Sequence, residues 1–420
     1  MVSAQKNLKI DRRIFTVHSL KSDRFLYPIA GLFKIRHMTK GGCPPSIRVQ
    51  IPIFLAGFGR FASHLLPIKT CFPILTFARP IEFCDCFTRA FLFLALLLCL
   101  PIFAMQRASA GHALGVRTIE YLDASRNRPV VVELWYPTTD QGPIDQPSDN
   151  IWVHPKEVRN APFLKAKSKF PLILMSHGHR GGRREATWLA EALVRAGFTV
   201  AAVDHYGDMR FHFDLFATVR FWNRPLDFIF LLNQMEKDDR FRDKIDFNQI
   251  GFVGYSLGGM TGLALAGGQA RNIRQSIGKM GRYALDEKLI DRFDLSPAEK
   301  SYTDSRIKGV LLLCPAVFIY TPESLKEIKI PIGLVAAIGD EVLPFKEHAY
   351  QIIHNLIPAK LKLLREEISH YAFINRISDA GKLILHKALH TDPPCCDRDS
   401  LHREINDFAI EFFRDVLKSK

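Results

Sequence analysis

From residue 111 onward, short runs of aliphatic and β-branched residues alternate with stretches whose apolar positions recur every three or four residues. The short runs fall at Val130–Tyr136, Leu172–Ser176, Thr199–Asp204, Ile250–Tyr255, Val310–Leu313, Ile332–Ile338 and Leu361–Ile368. Helical spacing covers Arg184–Ala196, Pro225–Lys237, Leu257–Ala266, Phe345–Leu356 and Ser400–Leu417. Strands that alternate with helices predict an α/β architecture, a mostly parallel central sheet with helices on both faces. The polar stretch Arg271–Ser305, with Gly278, Gly281 and Pro297, interrupts this rhythm. It is expected as a small lid-like insertion above the carboxyl ends of the strands. Residues 111–420 are read as one domain, without internal repeats or low-complexity tracts.

The pattern upstream is different. Residues 90–104, AFLFLALLLCLPIFA, carry no charge, follow Arg89 and precede Ala108-Ser109-Ala110. A basic residue, a short apolar core and a small-x-small site describe a secretory signal over 89–110, cut after Ala110. The expected location is therefore periplasmic or secreted. A spanning helix needs about 20 apolar residues, so a membrane anchor or membrane contact through residues 51–104 is the alternative. Residues 1–88 hold no sustained period and read either as an N-terminal extension or as sequence upstream of the true start near residue 88. The second reading is favoured.

Charge and cysteine sharpen this division. The net charge of +14 invites a nucleic-acid reading until it is located. Residues 1–110 hold 15 Lys/Arg against 4 Asp/Glu, leaving 42 against 39 for the remainder. A nearly neutral folded region excludes a basic groove for nucleic acid. Five of eight cysteines lie before residue 100, and Cys314, Cys395 and Cys396 do not make a disulfide framework. Cys314 lies in an apolar run and reads as a buried thiol. The pair Cys395-Cys396, near His390 and His402, matches no zinc spacing and reads as a loop or a single bridge.

The candidate chemistry centres on Gly254-Tyr255-Ser256-Leu257-Gly258. A serine hydroxyl becomes a useful nucleophile when a strained turn exposes it beside a base, which G-x-S-x-G achieves between a strand and a helix. The pentapeptide arises by chance in about one chain in ten of this length, so its setting matters. Here Ile250–Val253 reads as a buried strand and Leu257–Ala266 as a small-residue helix. Acyl transfer also needs two backbone N–H groups aimed at the developing oxyanion. Leu257, after the nucleophile, supplies one; His179, in Ser176-His177-Gly178-His179-Arg180-Gly181-Gly182 after an early strand, is the candidate for the other. The acid and base should follow in chain order. Asp340, after the strand Ile332–Ile338, is first choice for the acid, with Glu341 as fallback; capping the helix near Phe345 is its alternative role. His370, after Leu361–Ile368, is the base, ahead of His348, His354 and His386. Phe211, Phe213, Phe216, Phe221 and Trp222 line an acyl pocket or belong to ordinary core, the second being favoured.

Residues 111–420 resemble the predicted dienelactone hydrolases and the platelet-activating-factor acetylhydrolase group of the α/β-hydrolases. The matching pieces are Leu134-Trp135-Tyr136-Pro137, Met175-Ser176-His177-Gly178-His179, Ala202-Val203-Asp204-His205-Tyr206-Gly207-Asp208, the Ser256 elbow and Gly339-Asp340-Glu341-Val342-Leu343-Pro344. Dienelactone hydrolases proper use a cysteine nucleophile, so Ser256 points to ester substrates. The resemblance implies a serine hydrolase that cleaves small-molecule or lipid esters through a Ser256–His370–Asp340 triad, without metal or organic cofactor. A serine peptidase or amidase on the same fold is the nearest alternative. A non-catalytic binding protein is the alternative from another class.

Overall fold

A computed structural model describes residues 113–418 other than 146, 148, 149 and 279–286. The expectations for residues 1–88, 89–110 and 51–104 lie outside the described residues. Among those described, no helix is long and apolar enough to cross a membrane.

Nine strands form one sheet. In chain order they are β1 (Ala113–Asp123), β2 (Arg128–Thr138), β3 (Glu157–Arg159), β4 (Phe170–Ser176) and β5 (Thr199–Val203), then β8 (Ile245–Tyr255), β9 (Ile307–Leu313), β10 (Ile332–Ala337) and β11 (Lys360–Leu364). The two-residue strands β6 (Asp208–Met209) and β7 (His212–Phe213) pair as a separate hairpin. The sheet order is β11-β10-β9-β8-β4-β5-β2-β1-β3, and the six strands from β11 to β5 run parallel. Only the β2 pairings with β1 and β5 are antiparallel. The mostly parallel α/β sheet read from the sequence is the observed one.

Side chains alternate across a strand, so each parallel strand feeds two cores. Ile173, Met175, Val253, Tyr255, Leu311 and Leu313 pack on one face, under helices α1 (Thr187–Arg195) and α5 (Arg398–Val416). Their neighbours Leu172, Leu174, Phe252, Val310 and Leu312 pack on the other, under α2 (Asn223–Met235), α3 (Leu257–Leu265) and α4 (Ala349–Leu356). Strands buried on both faces read as continuous apolar runs, which is why these were visible in the sequence.

The differences from expectation are local. Strand β11 ends at Leu364, four residues early, because Arg365–Ile368 closes a turn through an Ile368 N–H to Arg365 carbonyl bond. Helix α4 starts at Ala349, since Pro344 first collects the N–H groups of Glu347 and His348 in turns. Phe211 is 73% exposed on the β6–β7 hairpin and outside the core, whereas Trp222 is buried. The described parts of 271–305 pack through Ile273, Ile277, Ile290 and Phe293 beside Trp222, Leu257 and Met260.

Candidate active site

Ser256 stands between β8 and α3 with φ +54° and ψ −116°, a backbone conformation costly for a residue with a side chain. The surrounding glycines allow it. A Cβ on Gly254 would run into the Gly258 carbonyl, and one on Gly258 into the Ser176 carbonyl. The turn is fastened on both sides: the Ser256 N–H donates to the Leu313 carbonyl (3.0 Å), and its own carbonyl accepts from Gly259 and Ala316 (2.9 Å each). Its hydroxyl does not cap the helix it precedes.

That hydroxyl lies 3.0 Å from His370 Nε2, and His370 Nδ1 lies 2.7 Å from Asp340 Oδ2. Residues 256, 340 and 370 thus form one hydrogen-bonded chain. All three are buried, Ser256 the least so at 8% exposure. Asp340 caps no helix, since α4 begins only at Ala349; its Oδ1 instead closes a local turn by accepting from the N–H groups of Val342 (2.9 Å) and Leu343 (2.7 Å), while Oδ2 faces the imidazole. A carboxylate so held fixes the tautomer with the proton on Nδ1 and leaves Nε2 to accept from the serine. Glu341 serves a different part of the same residue. Its Oε2 accepts the His370 backbone N–H (3.0 Å) and its Oε1 the Ser369 hydroxyl (2.8 Å). Tyr255 completes the seat by donating its hydroxyl to the His370 carbonyl at 2.9 Å.

The other histidines are occupied elsewhere. His348 Nδ1 accepts from the Val317 N–H (3.3 Å), His354 stacks on Tyr350, and His386 accepts from the Ala388 N–H (3.2 Å). His402 stacks on Trp188 and bonds the Ala372 carbonyl through Nε2 (2.9 Å). Cys395 and Cys396 form no disulfide.

Leu257 opens α3, so its N–H belongs to the first turn and has no carbonyl one turn earlier to bind. The loop after β4 passes against Ser256: a Cβ on Gly178 would lie 3.2 Å from the serine Cβ. His179 follows, its imidazole Nδ1 2.8 Å from Asp208 Oδ1 and its ring edge-on to Phe213. The Gly178 N–H goes to Glu185 Oε2 (3.2 Å), and burial pushes the Glu185 carboxyl above its ordinary range.

Ligand types suited to a metal come together once among the described residues, where atoms of Cys314, Asp340 and His370 lie within 4.8 Å of one another. Asp340 there already accepts three hydrogen bonds, and burial raises the Cys314 thiol well above its ordinary value. His370 in turn spends both ring nitrogens on Asp340 and Ser256, so these side chains are engaged with one another.

Beneath the loop lies a polar layer that the sequence reading did not find. Ser176 Oγ is 2.9 Å from His205 Nε2, and His205 Nδ1 is 2.9 Å from Asp227 Oδ2. Arg128 grips Asp227 through Nε (2.7 Å) and Nη2 (2.9 Å), and Arg126 adds a third contact at 2.9 Å. Burial, then the nearby Arg224 charge, holds both His205 and His177 well below the ordinary imidazole value. One signal was present in the sequence. An arginine in the first turn of a helix, at 224, opposes the positive end of the helix dipole and calls for a specific anionic partner.

No protein-family model and no curated protein sequence matches the chain. The likeness is one of fold. A solved structure of a ferulic acid esterase from Streptomyces cinnamoneus superposes with a TM-score of 0.53 at 20% identity, over 74% of this chain and 92% of that one. With 921 solved chains matching, the fold is shared too widely to select a reaction, and the chemistry has to be argued from the site.

Proposed function

We propose that the protein is a serine hydrolase of the α/β-hydrolase fold that cleaves carboxylic esters through an acyl-enzyme. The observation that carries this reading is the unbroken Ser256–His370–Asp340 chain, with its serine on a strained strand-to-helix turn. In the first step Ser256 Oγ bonds to the ester carbonyl carbon while His370 Nε2 takes the hydroxyl proton. The carbonyl π electrons move to oxygen, and the N–H groups of Leu257 and His179 receive the oxyanion. Asp340 stabilises the imidazolium, which then protonates the departing alkoxide. Water repeats the sequence to release the acid. Each step uses the chain's own residues.

Small-molecule or lipid esters are the proposed substrates, and residues 271–305 the proposed lid, because its apolar side chains pack beside Leu257. One similar solved structure is of a ferulic acid esterase, which puts a cinnamoyl-type ester in the trial panel. Export to the periplasm or medium, with cleavage after Ala110, remains part of the proposal; mass spectrometry of the N-terminus of secreted protein tests it, and an intact 51–104 segment would favour the anchored form.

The decisive experiment is hydrolysis of p-nitrophenyl esters of graded chain length and methyl ferulate, beside matched p-nitroanilides, by the full chain and Ser256→Ala. Ester turnover that disappears in Ser256→Ala supports the reading. Faster turnover of the anilides would replace it with an amidase, and no turnover by the wild type with either series would sink it.

A further inference from the structure

We infer that Arg224, through its buried ion pair with Asp208, sets the direction of the His179 backbone N–H and so acts as a positioning residue for the proposed oxyanion site. This rests on the serine-hydrolase reading above.

Arg224 is 2% exposed and lies in the first turn of α2. Its guanidinium is spread over the loop. Nη1 donates to the His177 carbonyl (2.9 Å), and Nη2 donates to the Gly178 carbonyl (3.1 Å) and to Asp208 Oδ2 (2.8 Å). His177 tightens the same carbonyl. Its Nε2 accepts from the His205 N–H (3.1 Å), so the ring proton sits on Nδ1 and is donated to the Gly178 oxygen (2.7 Å). In a trans peptide unit the C=O and the following N–H point in opposite directions. Capture of the Gly178 oxygen from the Arg224 side therefore turns the His179 N–H to the other side of a loop that runs against Ser256.

Asp208 fixes the far end of the same loop. Its Oδ1 accepts from the Arg180 N–H (3.1 Å) and lies 2.8 Å from His179 Nδ1. One ion pair thus holds two successive carbonyls, one amide and one imidazole across residues 177–180. Arg224 Nε is buried without a hydrogen-bond partner. A cost of that kind is tolerated where the planar fork does something a point charge cannot, here spanning two carbonyls and a carboxylate together.

The test compares Arg224→Lys and Asp208→Asn with wild type on a p-nitrophenyl ester. A trifluoromethyl ketone serves as a second probe, because Ser256 converts it to a tetrahedral oxyanion. Lysine keeps the charge but loses the fork. For Arg224→Lys the expected result is a fall in kcat of about 100-fold, the size of losing one oxyanion donor, with KM within about twofold. Affinity for the ketone should fall in parallel with kcat/KM, a correlation that general loosening of the fold would not produce. Asp208→Asn should move both quantities in the same direction by less. If both variants melt near wild type and keep kcat and ketone affinity within twofold, the inference is overturned. Should Arg224→Lys fail to fold, Asp208→Asn decides alone by the same criterion. Retained activity in Ser256→Ala would instead overturn the hydrolase reading itself, so the two failures are told apart.

Discussion

Two Ser–His–Asp chains stand side by side in this protein, at the carboxyl ends of the neighbouring strands β4 and β8. Their lengths are almost equal: 2.9 and 2.9 Å in Ser176–His205–Asp227, 3.0 and 2.7 Å in Ser256–His370–Asp340. Their surroundings differ in two ways that bear on chemistry. Ser176 closes a strand paired on both sides, whereas Ser256 sits in a strained turn at the head of a helix. Asp227 is neutralised by Arg128 and Arg126, whereas Asp340 is held by two backbone N–H groups. A carboxylate already matched by two guanidinium groups has little charge left to stabilise an imidazolium. Burial and Arg224 further oppose protonation of His205. Hydrogen-bond distance alone therefore does not make a triad; a strained turn under the serine and a carboxylate not already neutralised by guanidinium groups are what set Ser256–His370–Asp340 apart.

The largest expected effect separates the two serines. Ser256→Ala should lower ester turnover by about 10⁴-fold or more. Ser176→Ala should leave turnover within about tenfold and cost about 1 kcal/mol of stability, the value of one internal hydrogen bond. Initial rates and urea midpoints measured on the same preparations make the comparison. Equal losses of rate from both substitutions would abolish the distinction.

The two aspartates should part next, and in different currencies. Asp340→Asn is expected to cut kcat by about 10³- to 10⁴-fold by spoiling the imidazole tautomer, with little change in stability. Asp227→Asn removes half of a buried ion pair and strands Arg128, at a cost of about 3–5 kcal/mol. Chemical denaturation alongside kcat on the folded fraction tests both. A stable Asp227→Asn protein with lost kcat would move the catalytic assignment toward the buried chain.

These contrasts also explain what was legible in the sequence. The elbow was readable because its glycines, strand and helix are adjacent in the chain, and the doubly buried strands were readable as continuous apolar runs. Strand β1 was not. Its Leu114 and Val116 join one core and Ile119 the other, so no single alternation runs through it. The layer of Ser176, His205, Asp208, Arg224 and Asp227 was hidden for another reason. Those polar residues are spread over about 50 positions and meet only because β4, β5 and α2 converge under one loop. Glu341 and Asp340 are adjacent in sequence, and only the fold assigns one to the imidazole and the other to the backbone.

A third effect concerns pH. His177 and His205 are held well below their ordinary value by burial, and burial brings His402 down to about 3. With folded values depressed, their contribution to stability is present above the unfolded value near 6.5 and is lost as pH falls toward the folded value. At pH 5 His402, kept neutral in the fold, should cost about 2 kcal/mol relative to neutral pH, and His177 and His205 act in the same direction. Urea unfolding at pH 7 and pH 5 measures the loss, and His402→Gln should reduce it by about one such share. A pH-independent midpoint between 7 and 5 would contradict the buried-neutral assignment.

The smallest effect is the sharpest check on the candidate site. Glu341 was the fallback acid from its place in the sequence, yet it holds the Ser369 hydroxyl and the His370 N–H instead of the imidazole. Glu341→Gln keeps a carbonyl oxygen for one of these donors and removes the charge. The loss should be about 1 kcal/mol of positioning, a fall of roughly fivefold in kcat, with the pH profile unmoved. Asp340→Asn acts on the ring itself and carries the larger loss of kcat. The ratio of the two effects, expected near a hundredfold or more, reads out which carboxylate stands behind the base. Near-equal losses would mean that the two carboxylates share the task, and that a hydrogen bond to the histidine backbone matters as much as one to its ring.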